Sequence, residues 1–343
     1  MNPDDPARQQ APEPPRLVPS PPDHLTPGAE GDRDGEDPLG WLRLPYDPRV
    51  QRLLRAENDY SRSLFRELRD LRRELVASML GRFPEDDASV PVQHGPYLYT
   101  TRQSEGQPYV VHTRRRVGSD GREEVILDEN ELAAKRSYCA VRALAVSPDH
   151  RLLAFVFDPR GDERHTLEVR DLEDGSTRYR ATLYRATDVG PSLAWAADST
   201  TLFFTVLDSS HRSHQVRRVY LGAQPFAEVQ VLEEEDAAYQ LELSQSESGE
   251  FLFFASRSPS STELRYLNAR APFAKPRVFC RRQAGVRYAV THHGDHFYVL
   301  SNESGADFEL WRTLCSAVER KHWQAVALPE GVSPERLVAR SDH

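Results

Sequence analysis

The chain has 343 residues, enough for one large or two ordinary domains, and its 44 Lys+Arg against 53 Asp+Glu give a net charge of −9. That balance recommends neither nucleic acid nor an anionic membrane as a partner. Three scattered cysteines, Cys139, Cys280 and Cys315, form no C-x-x-C pair, which argues against a disulfide framework or a zinc site and fits a reducing compartment.

The amino terminus, MNPDDPARQQAPEPP, has no apolar core for a signal peptide. The longest purely apolar run, Leu152 to Phe157, is far too short to span a bilayer, so the expected location is the cytoplasm. Residues 1–35 are rich in Pro, Asp and Glu and nearly free of large apolar side chains. Such a segment buries too little surface to offset its ordering entropy and is predicted to be disordered.

A helical amino-terminal segment is predicted over residues 36–90. From Asp47 to about Arg82, Val50, Leu53, Leu54, Leu64, Leu68, Leu71, Leu75 and Met79 recur at spacings of three and four, the mark of an amphipathic helix of roughly nine turns, broken at most once. Asp47-Pro48 supplies an N-cap with proline at the first helical position, and Pro84 stops the pattern. Arginines on the other face alternate with Glu57, Asp59, Glu67, Asp70 and Glu74, which describes a solvated face with i,i+4 pairs rather than an anion-binding one.

Residues 91–343 lose the helical period. Short aromatic-aliphatic strands begin near Tyr97, Leu152, Leu202, Phe251 and Phe297, at intervals of 55, 50, 49 and 46 residues, four of them entered through turns of Asp, Ser or Gly. Further strands lie between, among them HTLEVRDLEDGSTRYRATL from His165, with Glu173-Asp174-Gly175 predicted as a tight hairpin. Three or four strands per fifty-residue unit predict a mainly β fold of propeller blades, about five of them.

The residues that carry chemistry in other proteins read as structural here. Gly190-Pro191-Ser192-Leu193-Ala194 approaches the G-x-S-x-G frame, but a nucleophile elbow needs a helix directly after the serine and small flanking residues. Pro191 before it and Leu193-Ala194-Trp195 after it make Ser192 the entrance of a strand. His211 with His214, and His292, His293 and His296, fall short of a rigid four-ligand zinc frame. Cys280 beside Arg281 and Arg282 has the cationic neighbours that lower a thiol pKa, although a partly buried strand cysteine is the plainer reading. The run Glu233-Glu234-Glu235-Asp236 reads as a solvated loop tip with some capacity to attract cationic peptides. No catalytic, cofactor-binding or metal-ligating residue is assigned.

Several ordered segments resemble a known family. Glu36-Asp37-Pro38-Leu39-Gly40-Trp41-Leu42-Arg43, Leu54-Arg55-Ala56-Glu57-Asn58-Asp59-Tyr60, Asp86-Asp87-Ala88-Ser89-Val90-Pro91, Ile126-Leu127-Asp128-Glu129-Asn130, Ser147-Pro148-Asp149, Leu193-Ala194-Trp195-Ala196-Ala197-Asp198-Ser199 and Leu310-Trp311-Arg312-Thr313 look like the amino-terminal part of oligopeptidase B-like members of the prolyl oligopeptidase family of serine peptidases. The resemblance implies a helical segment, a seven-bladed propeller that covers the active site and admits small peptides, and a carboxy-terminal α/β-hydrolase domain holding the triad and the acidic groups that select Lys or Arg. The hydrolase positions have no counterpart up to His343, so no catalytic residue is carried over. The expected role is a substrate-gating propeller, inactive alone, whose partners are a hydrolase domain in cis or trans and small basic peptides. The alternatives are a free-standing protein-binding propeller and a complete hydrolase built around Ser192.

Overall fold

Asp47 starts the first helix as its chemistry dictates. Its backbone is extended, its carboxylate accepts a hydrogen bond from the Arg49 amide at 2.8 Å, and Pro48 takes the first helical position. The computed structural model describes residues 14–16, 39–84, 86–118, 123–173, 182–305, 307–329, 334 and 337–338. All of the tail predicted to be disordered except residues 14–16, and Asp174 and Gly175 of the predicted hairpin, lie outside the described residues.

The chain divides into two units, Met1–Pro84 and Glu85–His343. In the first, the single amphipathic pattern becomes two helices, α1 (Pro48–Leu64) and α2 (Arg69–Leu80). At the break, the Ser63 hydroxyl donates to the Tyr60 carbonyl at 2.6 Å, a local bond that competes with the helical ladder. Val50 is the sole buried residue of α1, and α2 has none. Phe65, Leu68, Leu71, Leu75 and Met79 are all exposed, Phe65 at 60% and Met79 at 59%. Among the described residues no helix is long and apolar enough to cross a membrane.

The second unit is built of antiparallel sheets. The first blade contains β1 (Asp87–Ala88), β2 (Val92–His94), β3 (Tyr97–Gln103), β4 (Val111–Arg116) and β5 (Glu124–Asp128). A seven-stranded sheet follows, from β6 (Ala140–Val146), β7 (Leu152–Asp158) and β8 (His165–Asp171) through β9 (Thr182–Trp195) to β10 (Thr201–Leu207), β11 (Ser213–Tyr220) and β12 (Glu228–Glu233). Two four-stranded sheets complete it: β13 (Gln240–Gln245), β14 (Phe251–Arg257), β15 (Thr262–Asn268) and β16 (Arg277–Cys280), then β17 (Tyr288–His293), β18 (His296–Ser301), β19 (Glu309–Leu314) and β20 (Gln324–Ala325). The five predicted strand starts mark β3, β7, β10, β14 and β18; β7, β10 and β14 are well buried, β18 largely so, and β3 only partly. Among the described residues no strand of the first sheet pairs with a strand of the last.

One expectation needs correction. Ser192 does not open a strand: it lies inside the 14-residue β9, which closes the second blade, runs on through Ala186-Thr187-Asp188 without a turn and opens the third. The first half of β9 pairs with β8 and its second half with β10, and Val189 pairs with both His165 and Val206. A turn signal failed here because Asp188 is accommodated in the left-handed region (φ 56) within a continuous strand.

The blades are joined by apolar faces and by a repeated turn. Phe155 and Phe157 of the second blade pack with Ile126 and Leu127 of the first, and Phe253 and Tyr266 of the fourth pack with Phe297 and Val299 of the fifth. The turn between the first two strands of each long-stranded blade places one residue in the left-handed region: His150 (φ 62), Ser199 (φ 61), Gly249 (φ 70) and Gly294 (φ 57), with Gly95 (φ 55) before β3. These turns bond across seams. Ser199 Oγ accepts from the Asp149 amide at 3.0 Å, and Ser248 Oγ lies 2.8 Å from His292 Nδ1.

Candidate functional site

The first strands of the second, third and fourth blades lie side by side. The Trp195 indole of β9 donates to the Ala145 carbonyl of β6 at 3.1 Å, and β9 also packs against β13. Two of these strands carry bulges at corresponding places. On β6, Val141 pairs with Phe157 and Ala143 with Val156, leaving Arg142 as the extra residue. On β9, Val189 pairs with Val206 and Leu193 with Phe204, so Gly190-Pro191-Ser192 oppose Thr205 alone. A bulge breaks the up-down alternation of a strand and re-aims the side chains within it. Gly190 is required by closeness: a Cβ at this position would overlap the hydroxyls of Thr205 and Ser213.

The bulged residues line a cavity of about 460 Å³, which Arg142 and Ser192 share with Glu163, His211, Gln240 and Glu242. Glu163 and His211 come from equivalent loops after β7 and β10. Each loop is wound around an aspartate: Asp158 accepts amide hydrogens of Arg160, Gly161 and Glu163 at 3.0, 2.8 and 3.0 Å, and Asp208 those of Ser210 and Arg212 at 2.8 and 3.1 Å. Burial alone would raise the Asp158 pKa, but these amide donors hold it below its ordinary value, so it stays an anion. The loops thereby fix Glu163 (φ 59) and His211 (φ 63) in the left-handed region beside the cavity. A second cavity of about 770 Å³ shares His211, Gln240 and Glu242 and extends to Tyr239 and Arg257.

Ser192 thus sits in this cavity, in the bulge and not in an elbow. His165 and His211 line the same space, yet His165 Nδ1 is 3.0 Å from the Val189 carbonyl, and no hydrogen bond joins the Ser192 hydroxyl to either histidine among the described residues. A serine nucleophile needs such a base within hydrogen-bond reach. The other histidines are dispersed. His214 lies on β11 near Glu233, not in a loop with His211, and His292 is buried against Phe251 at the fourth seam while His293 is exposed. Among the described residues no three His, Cys, Asp or Glu converge as a metal site would require.

Cys280 is the partly buried strand cysteine of the plainer reading, at the end of β16. Burial pushes its pKa up, although Arg320 Nε donates to its sulfur at 2.8 Å, and Arg282 is turned to Glu234. The acidic run is not simply a solvated loop tip. Glu234 is 6% exposed and is held by Arg282 at 2.5 Å and by the Ser256 hydroxyl, while the Arg212 guanidinium donates to the carbonyls of Glu234, Asp236 and Tyr239 at 3.1, 3.0 and 2.9 Å. Sequence reasoning missed Arg142, Glu163 and Glu242, since a bulge and a left-handed loop residue leave no periodic signal. The aspartates five and three residues before Glu163 and His211 are the one hint.

Residues 23–336 match the family model described as the prolyl oligopeptidase N-terminal beta-propeller domain. The chain belongs to the prolyl oligopeptidase family. Within that family it is 30% identical over 285 residues to "Protease 2" of Moraxella lacunata, covering 81% of this chain and 41% of that protein. It is also 30% identical over 310 residues to "Dipeptidyl aminopeptidase BI" of Pseudoxanthomonas mexicana, covering 84% and 42%. The solved oligopeptidase B from Leishmania major superposes with a TM-score of 0.74 at 28% identity, over 84% of this chain and 41% of that one. The chain therefore spans about two fifths of the length of these relatives, the propeller part of the prolyl oligopeptidase architecture.

Proposed function

We propose that the chain is the substrate-gating propeller of an oligopeptidase B-like serine peptidase, which works with an α/β-hydrolase domain in cis or in trans on small peptides cut after Lys or Arg. In this reading it performs no hydrolysis by itself, and it resides in the cytoplasm, in keeping with three free cysteines. The observation that carries the reading is the cavity at the bulged first strands. It presents an arginine, a serine, a glutamine and two glutamates to a concave space of a size suited to a short peptide segment. Extended peptides offer unpaired amides and carbonyls, which such mixed donors and acceptors satisfy. The exposed apolar stripe of α1 and α2 supports a hydrolase partner, because a helix with an uncovered stripe of this kind gains by docking it.

The test is reconstitution. The chain is mixed with, or fused to, the hydrolase domain of a relative, and cleavage of a short arginyl peptide is compared with cleavage of the same sequence inside a folded protein. Gating gives cleavage of the peptide alone. Equal cleavage of both, with and without the chain, overturns the reading.

A further inference from the structure

Arg142 stands apart from the arginines around it. Arg164 pairs with Asp188 at 2.8 Å, Arg160 with Asp162 at 2.9 Å, and Arg257 with Glu242 at 2.9 Å, while Arg212 is saturated by Asp208 and three carbonyls. Arg142 has no ion pair or hydrogen bond among the described residues, yet it lies in the wall of the cavity. It is also the extra residue of the β6 bulge, so the backbone departs from regular pairing at the residue whose guanidinium is left open. The corresponding stretch of β13 pairs without a bulge, Gln240 with Arg257, Leu241 with Ser256 and Glu242 with Ala255. The irregularity is thus a feature of the cavity wall and not of every blade.

A guanidinium offers a rigid fork of donors that fits a carboxylate with two parallel hydrogen bonds. Glu163, in the same cavity and likewise without an ion pair among the described residues, sets the net charge near zero once Arg257 has neutralised Glu242. A site with a single open guanidinium and no excess positive charge offers polyanions such as phosphates little attraction, while the guanidinium can still pair with one carboxylate. Ser192 and Gln240 provide neutral hydrogen-bonding groups beside it for adjoining amides.

We propose that Arg142 is a binding residue for a peptide carboxylate, either the free C-terminal carboxylate of a short peptide or an Asp or Glu side chain. The proposal rests on the peptide-handling reading above and adds a charge requirement to it. A carboxylate anchor placed at the first strands favours short peptides with a nearby free end over long chains, whose ends are elsewhere.

The experiment is titration calorimetry on the full chain with three probes: a neutral tripeptide acid, its C-terminal amide, and an amide of the same length containing one Asp. The acid is expected to bind at least about tenfold more tightly than the amide, the worth of one charge-assisted pair. Arg142→Gln is expected to erase that ratio, and Arg142→Lys to keep part of it, with far-ultraviolet circular dichroism unchanged in both. Asp-peptide binding as tight as that of the acid supports the anchor and makes the side chain an accepted source; binding of the free acid alone supports it with the C terminus as the source. Equal binding of acid and amide to the unaltered chain overturns the anchor while leaving peptide handling intact. Binding of none of the probes overturns both, and a ratio that survives Arg142→Gln overturns the assignment to this residue.

Discussion

Tyr99 of the first blade and His150 of the second meet across their seam, Tyr99 Oη lying 2.8 Å from His150 Nδ1. The other ring nitrogen faces Gly95, where an added Cβ would stand 2.5 Å from Nε2, so a proton on Nε2 has no room for an acceptor there. Burial lowers the His150 pKa from its ordinary 6.5, and the neighbouring His94 and Arg114 lower it further. Tyr97, Tyr99, Arg114 with its partner Glu124, His94 and Asp149 are the titratable or charged groups around it.

The sign follows. With a folded pKa below the unfolded one, the unfolded state binds more protons, so the stability from a neutral His150 is fully present above pH 6.5 and is lost as pH falls below it. His292, buried at the fourth seam, is lowered for the same leading reason and adds in the same direction. The expected outcome is a melting temperature that falls between pH 7 and pH 5. In His150→Asn, which keeps a residue tolerant of positive φ, that fall is expected to be visibly smaller. An identical fall in the variant contradicts the assignment.

Gly190 and Ser192, two residues apart, are expected to respond to alanine very unequally. Gly190→Ala inserts a methyl group against Thr205 and Ser213 at a buried position within the third blade and is expected to cost about 1–3 kcal/mol, the range for overpacking. Ser192→Ala removes a hydroxyl with no hydrogen-bond partner among the described residues and is expected to change stability by less than about 0.5 kcal/mol. Urea midpoints at constant m-value decide between them.

The Glu234–Arg282 pair predicts strong non-additivity. Burial alone would raise the Glu234 pKa, yet the Ser256 hydroxyl and Arg282 hold it below its ordinary value, so the group is a buried anion that depends on its partners. Arg282→Met strands that charge and is expected to cost about 3 kcal/mol or somewhat less, given the partial exposure of Arg282. Adding Glu234→Leu to it is expected to recover a large part. A double-mutant cycle that closes without a coupling term contradicts this account.

The apolar stripe of α2 is expected to make the isolated chain self-associate. Leu71→Glu with Leu75→Glu, at residues 52% and 53% exposed, is expected to shift the sedimentation profile toward monomer while leaving the urea midpoint within about 0.5 kcal/mol. An unaltered chain that sediments as a monomer at high concentration contradicts it.

What was legible in the sequence follows the physics of each signal. The central strands of the blades, β7, β10 and β14, are nearly continuous buried apolar runs bounded by turn residues, and the helix start at Asp47-Pro48 is a local capping reaction. Both can be read without knowing the fold. The join inside β9 was not legible, because Asp188 carries a turn signal that tertiary pairing on both sides overrides. Neither was the cavity. Arg142 enters it through a bulge set by pairing with β7, and Glu234 becomes structural only because Arg282, 48 residues on, is folded against it. The family resemblance supplied what periodicity could not, since ordered short matches preserve the blade sequence even where the strand pattern is weak.

The central claim is that this propeller serves peptide hydrolysis without performing it. The most direct measurement is turnover of a small arginyl amide substrate by the pure chain, by the chain with Ser192→Ala, and by the chain combined with a family hydrolase domain. The account predicts no turnover by either form alone and turnover only in the combination, which Ser192→Ala does not abolish. Turnover by the chain alone that disappears with Ser192→Ala would contradict it.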